Sequence, residues 1–262
     1  PPSSVHGAVA TAVTAPALAP RAAPVLQLEG VRYRYPGARA DALDLPELEL
    51  GAGQRMLLRG ASGCGKSTLL SIAAGVLLAD EGRVELLGLD WRSMSASARD
   101  ARRVDHVGYI FQQFNLLPYL SVLDNVLLPC RFSALRRERA RQRHGRTEDA
   151  ARALLQALGL GEEVQRREAA QLSVGQQQRV AAARALIGQP EIVIADEPTS
   201  ALDEGRRDEF MRLLISQCEQ AGSALLFVSH DSRLALHFDR VVDLERLNLA
   251  LDVTLATPRG AG

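Results

Sequence analysis

The stretch "LLRGASGCGKSTLL", residues 57–70, decides the fold. It sets Gly60, Gly63 and Gly65 close together and follows them with Lys66 and Ser67, which fits the pattern G-x-x-x-x-G-K-[ST]. The residues before it read as a strand, and "KSTLLSIAAGVLL" after it has helical spacing. A glycine-rich turn in that setting can aim successive backbone N–H groups at phosphate oxygens, and the N-terminus of the following helix adds its dipole. Lys66 is the only lysine in the chain; every other member of the 31 Lys+Arg is arginine. A compact ammonium on a flexible stem enters a tight turn and reaches the β and γ phosphates, where a planar guanidinium is too wide. Ser67 supplies a hydroxyl for Mg²⁺.

A metal-bound triphosphate needs a second set of groups, and "EIVIADE", residues 191–197, offers it. An apolar strand ends in Asp196 and Glu197, at the carboxyl edge where ligands of open α/β sheets bind. Asp196 is placed to hold Mg²⁺ and Glu197 to polarise the attacking water. Working outward, "VLQLEGVRYRYP" alternates as a strand, "LELGAGQRMLLRG" as strand, turn and strand, and "GRVELLGLDW" as a strand pair. "SALLFVSHD" is another apolar run suited to a strand buried on both faces. Strand alternating with helix implies an α/β core. The middle, roughly 92–188, reads as mostly helical and as a separate lobe.

The 262 residues are 47% hydrophobic and 24% charged with a formal net charge of zero, which implies no bulk attraction to nucleic acid or anionic lipid. The basic stretch "CRFSALRRERARQRHGRTEDAARALL" lacks interleaved aromatics other than Phe132, so a solvated helix pair is favoured over a nucleic-acid surface. Cys64, Cys130 and Cys218 are widely spaced and follow no metal pattern, as expected of free thiols. No apolar run is long enough to cross a bilayer. The Ala/Pro-rich residues 1–24 read as a flexible tail.

At this point the chain resembles the ATP-binding subunits of ABC transporters. "LSVGQQQRVAAARAL", residues 172–186, is similar to their signature motif. "SALD", residues 200–203, is similar to the D-loop, "VSHD", residues 228–231, to the switch-histidine loop, and the region around Gln112 to the Q-loop. "YRYPGA" resembles the aromatic strand end that stacks on adenine, with Tyr35 preferred over Tyr33. "FQQFNLLPYLSVLDNVLLP" and "DEPTSALD" narrow the resemblance to the lipoprotein-releasing, macrolide-export and cell-division ATPases.

The resemblance implies a phosphate-loop NTPase core with a parallel sheet, an antiparallel β subdomain and an inserted helical subdomain at about 112–188. The ATPase domain would span 25–245 and a C-terminal tail 246–262. The implied cofactors are ATP and Mg²⁺, the metal held by Ser67, Gln112 and Asp196. The implied catalytic residues are Lys66, Glu197 and His230. Nucleotide contacts would come from Tyr35, Gly60, Ala61, Ser62, Gly63, Cys64, Gly65, Lys66, Ser67, Thr68, Gln176 and Asp203, and across a head-to-tail homodimer from Ser173 and Gly175. The implied partner is a membrane permease with an extracytoplasmic domain, and no nucleic acid. The chain would sit peripherally on the cytoplasmic face of the inner membrane and drive efflux or lipoprotein-type movement; the alternative is a cell-division-type ATPase that signals without transport.

Three features invite a closer look. Val174 stands where the signature usually has its first glycine, and helical angles there would point it away from nucleotide. Cys64 lies inside the loop, with a reachable and an unreactive thiol equally open. Phe114, Leu116, Leu117, Tyr119 and Leu120 crowd one segment, and an apolar patch left over there would mark a permease-docking surface.

Overall fold

The computed structural model describes residues 23–200 and 202–251. The tails expected over 1–24 and 246–262 fall for their greater part outside the described residues. The fold is α/β and built on two sheets. β1 (Pro24–Tyr33), β2 (Leu43–Gly51), β4 (Glu81–Leu86) and β5 (Leu89–Asp90) form an antiparallel sheet in the order β2-β1-β4-β5. β3 (Arg55–Arg59), β6 (Val107–Ile110), β7 (Ile192–Asp196), β8 (Ala224–Val228) and β9 (Arg240–Asp243) form a sheet in the order β6-β7-β8-β3-β9, with every pairing parallel.

The apolar runs of β3, β7 and β8 are explained by two cores, one on each face of the parallel sheet. Met56, Leu58, Ile192, Ile194, Leu226 and Val228 point to one side, where they join Leu28, Leu48, Leu69 and Leu70 under the antiparallel sheet. Leu57, Val193, Ala195, Leu225 and Phe227 point to the other, against the helices. Side chains alternate along a strand, so a strand covered on both faces must be apolar at every position.

β6 is a strand within the region read as mostly helical, roughly 92–188, whose other elements are helices. "VGYI" is too short to show a period, yet Val107 to Ile110 pair in register with Ile192 to Ala195. Gly108 permits this, because a Cβ there would lie 2.3 Å from the carbonyl oxygen of Ala185.

The helices are α1 (Lys66–Ala73), α2 (Ala96–His106), α3 (Val122–Phe132), α4 (Ala134–His144), α5 (Thr147–Ala157), α6 (Glu162–Gln165), α7 (Val174–Leu186), α8 (Glu204–Ala221) and α9 (Leu244–Leu247). Ser95, Ser121, Ser133, Ser173 and Asp203 start α2, α3, α4, α7 and α8 by accepting backbone N–H groups that the first turn leaves unpaired. Arg136 on α4 is fully buried and donates to Ala185 O and, at 2.7 Å, to Ile187 O, so it fastens α4 to the C-terminal end of α7. Burial pushes its guanidinium pKa down to about 10, still charged at neutral pH.

Candidate nucleotide site

β3 delivers the chain into the glycine turn and α1 leaves it. Gly65 precedes α1 with φ +100, and a Cβ there would lie 2.9 Å from Ala42 O, so both conformation and space require glycine. Ala61, Ser62 and Gly63 form the exposed outer rim. Lys66 curls under that rim: its Nζ donates to Gly60 O and Ala61 O, each at 2.9 Å, and its side chain is only 10% exposed. Cys64 lies behind the loop and is buried; burial raises its thiol pKa, with Lys66 opposing the shift more weakly. The reachable-thiol alternative is therefore corrected, because the loop backbone covers the sulfur. Cys130 and Cys218 are likewise free and buried.

The carboxylates arrive from β7. Asp196 is its last residue, and burial followed by the neighbouring charge of Glu197 pushes its carboxyl pKa up. Glu197 adopts φ +43, a left-handed conformation that costs a non-glycine residue about 1–2 kcal/mol. Its N–H still donates to Val228 O at 3.2 Å, one step beyond the β7–β8 ladder. The turn leaves the side chain between Lys66 and an imidazole: Oε1 is 3.7 Å from Lys66 Nζ, and Oε2 is 3.7 Å from Nδ1 of the exposed His230 on the loop after β8. Lys66, Glu197 and His230 are thus brought together at the carboxyl edge of the parallel sheet.

The remaining expected residues divide into two groups. Ser67 is exposed on the first turn of α1. Thr68 is buried, and its Oγ1 lies 3.1 Å from the hydroxyl of Tyr35, whose half-exposed ring packs edge-on against Tyr33. Gln112 stands on the exposed turn after β6 and makes no hydrogen bond to the loop or to Asp196. Ser173, Gly175 and Gln176 are not brought to the phosphate loop of their own chain; they line a separate groove with Leu160, Arg179 and Leu202. There Ser173 and Gln176 form a reciprocal capping box, and Val174 begins the helix with an exposed side chain. Asp203 caps α8.

Three structural partners escaped the sequence reading. Gln178, buried on α7, donates to Pro198 O at 2.9 Å and ties the helical layer to the loop after Glu197. Arg207 on α8 pairs with Asp231 at 2.7 Å, linking the segment after "SALD" to the segment after His230. Asn248 reaches the back of the phosphate loop. Each joins segments distant in sequence, and only the unusual burial of a polar side chain marks it.

An apolar groove runs beside this edge, lined by Val76, Val104, Tyr109, Phe111, Leu128, Pro129 and Phe132. Phe132 is 78% exposed and Val76 62%. The expected patch at 114–120 is smaller than the five residues named, with Tyr119 exposed and Leu116, Leu117 and Leu120 half-buried. Phe114 is buried, Leu116 packs against the core, and Asn125 holds Leu117 through both its backbone N–H and its carbonyl. Tyr119 is the residue of that segment left 70% exposed.

The geometry fits a nucleoside triphosphate. Space over Gly63 is open to beyond 4 Å, a cation lies beneath it, and two carboxylates close the inner end. A hydroxyl and one half-buried carboxylate also suit a hard cation that takes oxygen ligands and completes its shell from substrate phosphates. Among the described residues no cluster of three or more His, Cys, Asp or Glu forms a self-sufficient metal cage.

Comparison with known proteins agrees. The family model described as ABC transporter matches residues 43–200. The lipoprotein-releasing system ATP-binding protein LolD of Novosphingobium aromaticivorans is 41% identical over 224 residues, which cover 84% of this chain and 96% of that protein. The probable export ATP-binding/permease protein MacB of Pseudomonas entomophila is 38% identical over 223 residues; the match covers 84% of this chain and about a third (32%) of that protein. The ATP-binding cassette MJ0796, solved as a dimer in a post-hydrolysis state bound to ADP and Pi, superposes with a TM-score of 0.71 at 33% identity, covering 84% of this chain and 95% of that one. The chain belongs to the ABC transporter ATP-binding family, and its activity is that family's hydrolysis of MgATP.

Proposed function

We propose that two copies of this chain close head to tail around two MgATP and drive a separate membrane permease of the lipoprotein-releasing or export type. The observation that carries this reading is an incomplete site: Lys66, Glu197 and His230 share one edge, while Ser173 and Gly175 face a different groove. A second copy would bring its Ser173–Gly175 helix start to the outer side of the bound phosphates. A helix N-terminus contributes about 0.3–1 kcal/mol to holding an anion, so its main effect is to complete a water-excluded site. The permease reading draws on the LolD and MacB likenesses, the second of which carries both names in one chain. Such an assembly would hold the chain peripherally at the cytoplasmic face of the inner membrane, and no described helix is long and apolar enough to cross a membrane.

In this reading Lys66 and the loop amides hold the β and γ phosphates, and Tyr35 stacks on the base. Ser67, Asp196 and Gln112 would hold Mg²⁺, which would neutralise phosphate charge when bound. Glu197 Oε2 takes the proton of the attacking water, with His230 orienting it. Asp203 joins Ser173, Gly175 and Gln176 at the dimer interface. The permease seats a short cytoplasmic helix in the groove at Phe111, Leu128 and Phe132, next to the Gln112 turn, so that closure of the dimer moves it.

The test is Glu197→Gln. Loss of a positioned base typically costs 10²–10⁴ in rate. The variant should hydrolyse slowly yet accumulate as an ATP-bound dimer on gel filtration. Wild-type turnover, or a monomer at saturating MgATP, would overturn the reading.

A further inference from the structure

A short turn near the C-terminal end of the described chain, outside the residues that the family model matches, grips the phosphate loop from behind. Leu244 is fully buried under the loop, with its Cβ 3.6 Å from where a Cβ on Gly60 would lie. The carboxylate of Glu245 accepts the N–H of Ala61. Asn248 is 1% exposed, and its Nδ2 donates to Cys64 O at 3.1 Å and to Ala42 O at 3.2 Å. Its Oδ1 accepts the N–H groups of Asp44 at 2.8 Å and Ala250 at 3.3 Å. Both amide protons and the carbonyl's two lone pairs are therefore used. Leu249 adds a backbone bond to Asp44 O at 2.9 Å, and Ala42 donates to Tyr33 O at 2.8 Å. One side chain thus joins the phosphate loop to the segment that enters β2 and, through it, to Tyr33 at the end of β1, two residues before Tyr35.

The peptide group turns these contacts into an orientation. In a planar trans peptide the C=O of one residue and the N–H of the next point in opposite directions. At the Gly60–Ala61 peptide the N–H points back to Glu245, and the C=O points into the loop, where it meets Lys66 Nζ. At the Cys64–Gly65 peptide the sense is reversed: the C=O is drawn back to Asn248, so the Gly65 N–H faces the loop interior. We propose that Asn248 is a positioning residue for nucleotide binding, which holds the Cys64 carbonyl outward and so keeps the Gly65 N–H aimed at phosphate. Glu245 acts in the converse sense at the other end of the loop. This rests on the reading of the loop as the triphosphate site.

The experiment compares wild type, Asn248→Ala and Asn248→Asp by calorimetric titration with MgATP and MgADP, steady-state ATPase kinetics and a thermal melt. Alanine removes the brace. Aspartate keeps the shape and both accepting bonds but sets an oxygen against two carbonyl oxygens. Both variants should raise Kd and KM about tenfold, about 1.4 kcal/mol. Turnover at saturating MgATP should change less than twofold, because Glu197 and His230 are untouched. A role confined to stability would lower Tm and leave KM alone, and that result in a folded variant overturns the proposal. If neither variant folds, hydrogen exchange on wild type decides. MgADP should protect residues 244–250 together with 60–66, and unchanged exchange at 244–250 overturns the proposal. A wild type that binds no MgATP would sink the triphosphate reading itself.

Discussion

Lys66→Arg preserves charge and should nevertheless cut catalytic efficiency about a hundredfold. In the structure the ammonium satisfies two loop carbonyls at 2.9 Å from a single nitrogen, 3.7 Å from Glu197, with little room around it. Arginine spreads its donors over a planar fork and cannot occupy the same point. Placing it there means an off-rotamer side chain, about 0.5–1.5 kcal/mol, or the loss of at least one charged hydrogen bond, about 1.5–3 kcal/mol. The displaced cation also leaves the phosphates. Taking about 3 kcal/mol as the combined loss of transition-state stabilisation, kcat/KM should fall by about two orders of magnitude. Phosphate release under steady-state conditions measures this, with a thermal melt to show that the fold survives. An arginine variant within fivefold of wild type would show that positive charge alone suffices and that the steric reasoning is wrong.

Native protein should react with maleimide at Cys64 far more slowly than unfolded protein, because the thiol is buried with a raised pKa; equally rapid labelling of Cys64 in the folded protein would refute this. The Arg233 guanidinium, hydrogen-bonded to Asp231, draws that carboxyl down to about 2. A depressed carboxyl contributes stability that is fully present above its unfolded pKa of about 4 and lost as pH falls toward 2. Asp231→Asn should therefore lower Tm at pH 7 and match wild type near pH 2, a convergence that differential scanning fluorimetry can follow. Phe132→Asp should remove permease stimulation in nanodiscs while basal ATPase stays within about twofold, since Phe132 is exposed and far from the loop in sequence. Full stimulation of the folded variant would place the coupling surface elsewhere.

The nucleotide loop and the β7 carboxylates were legible in the sequence because each is a local device. Gly65 belongs to a glycine-rich turn, and "IVIA" is a strand covered on both faces. A few contiguous residues encode each of these, so the α/β class, the family and the phosphate chemistry followed without coordinates. What the tertiary structure decided are the partners that no window contains. "VGYI" became a sheet edge because Gly108 lets α7 approach. Phe114 is buried and Phe132 exposed although both are phenylalanines in the same lobe, since burial depends on which neighbours cover a side chain. Asn248 lies 184 positions from the carbonyl it holds. An asparagine reads in sequence as a turn or cap residue, and only the packed chain, by bringing four backbone groups around its amide, gives it a place behind the phosphate loop.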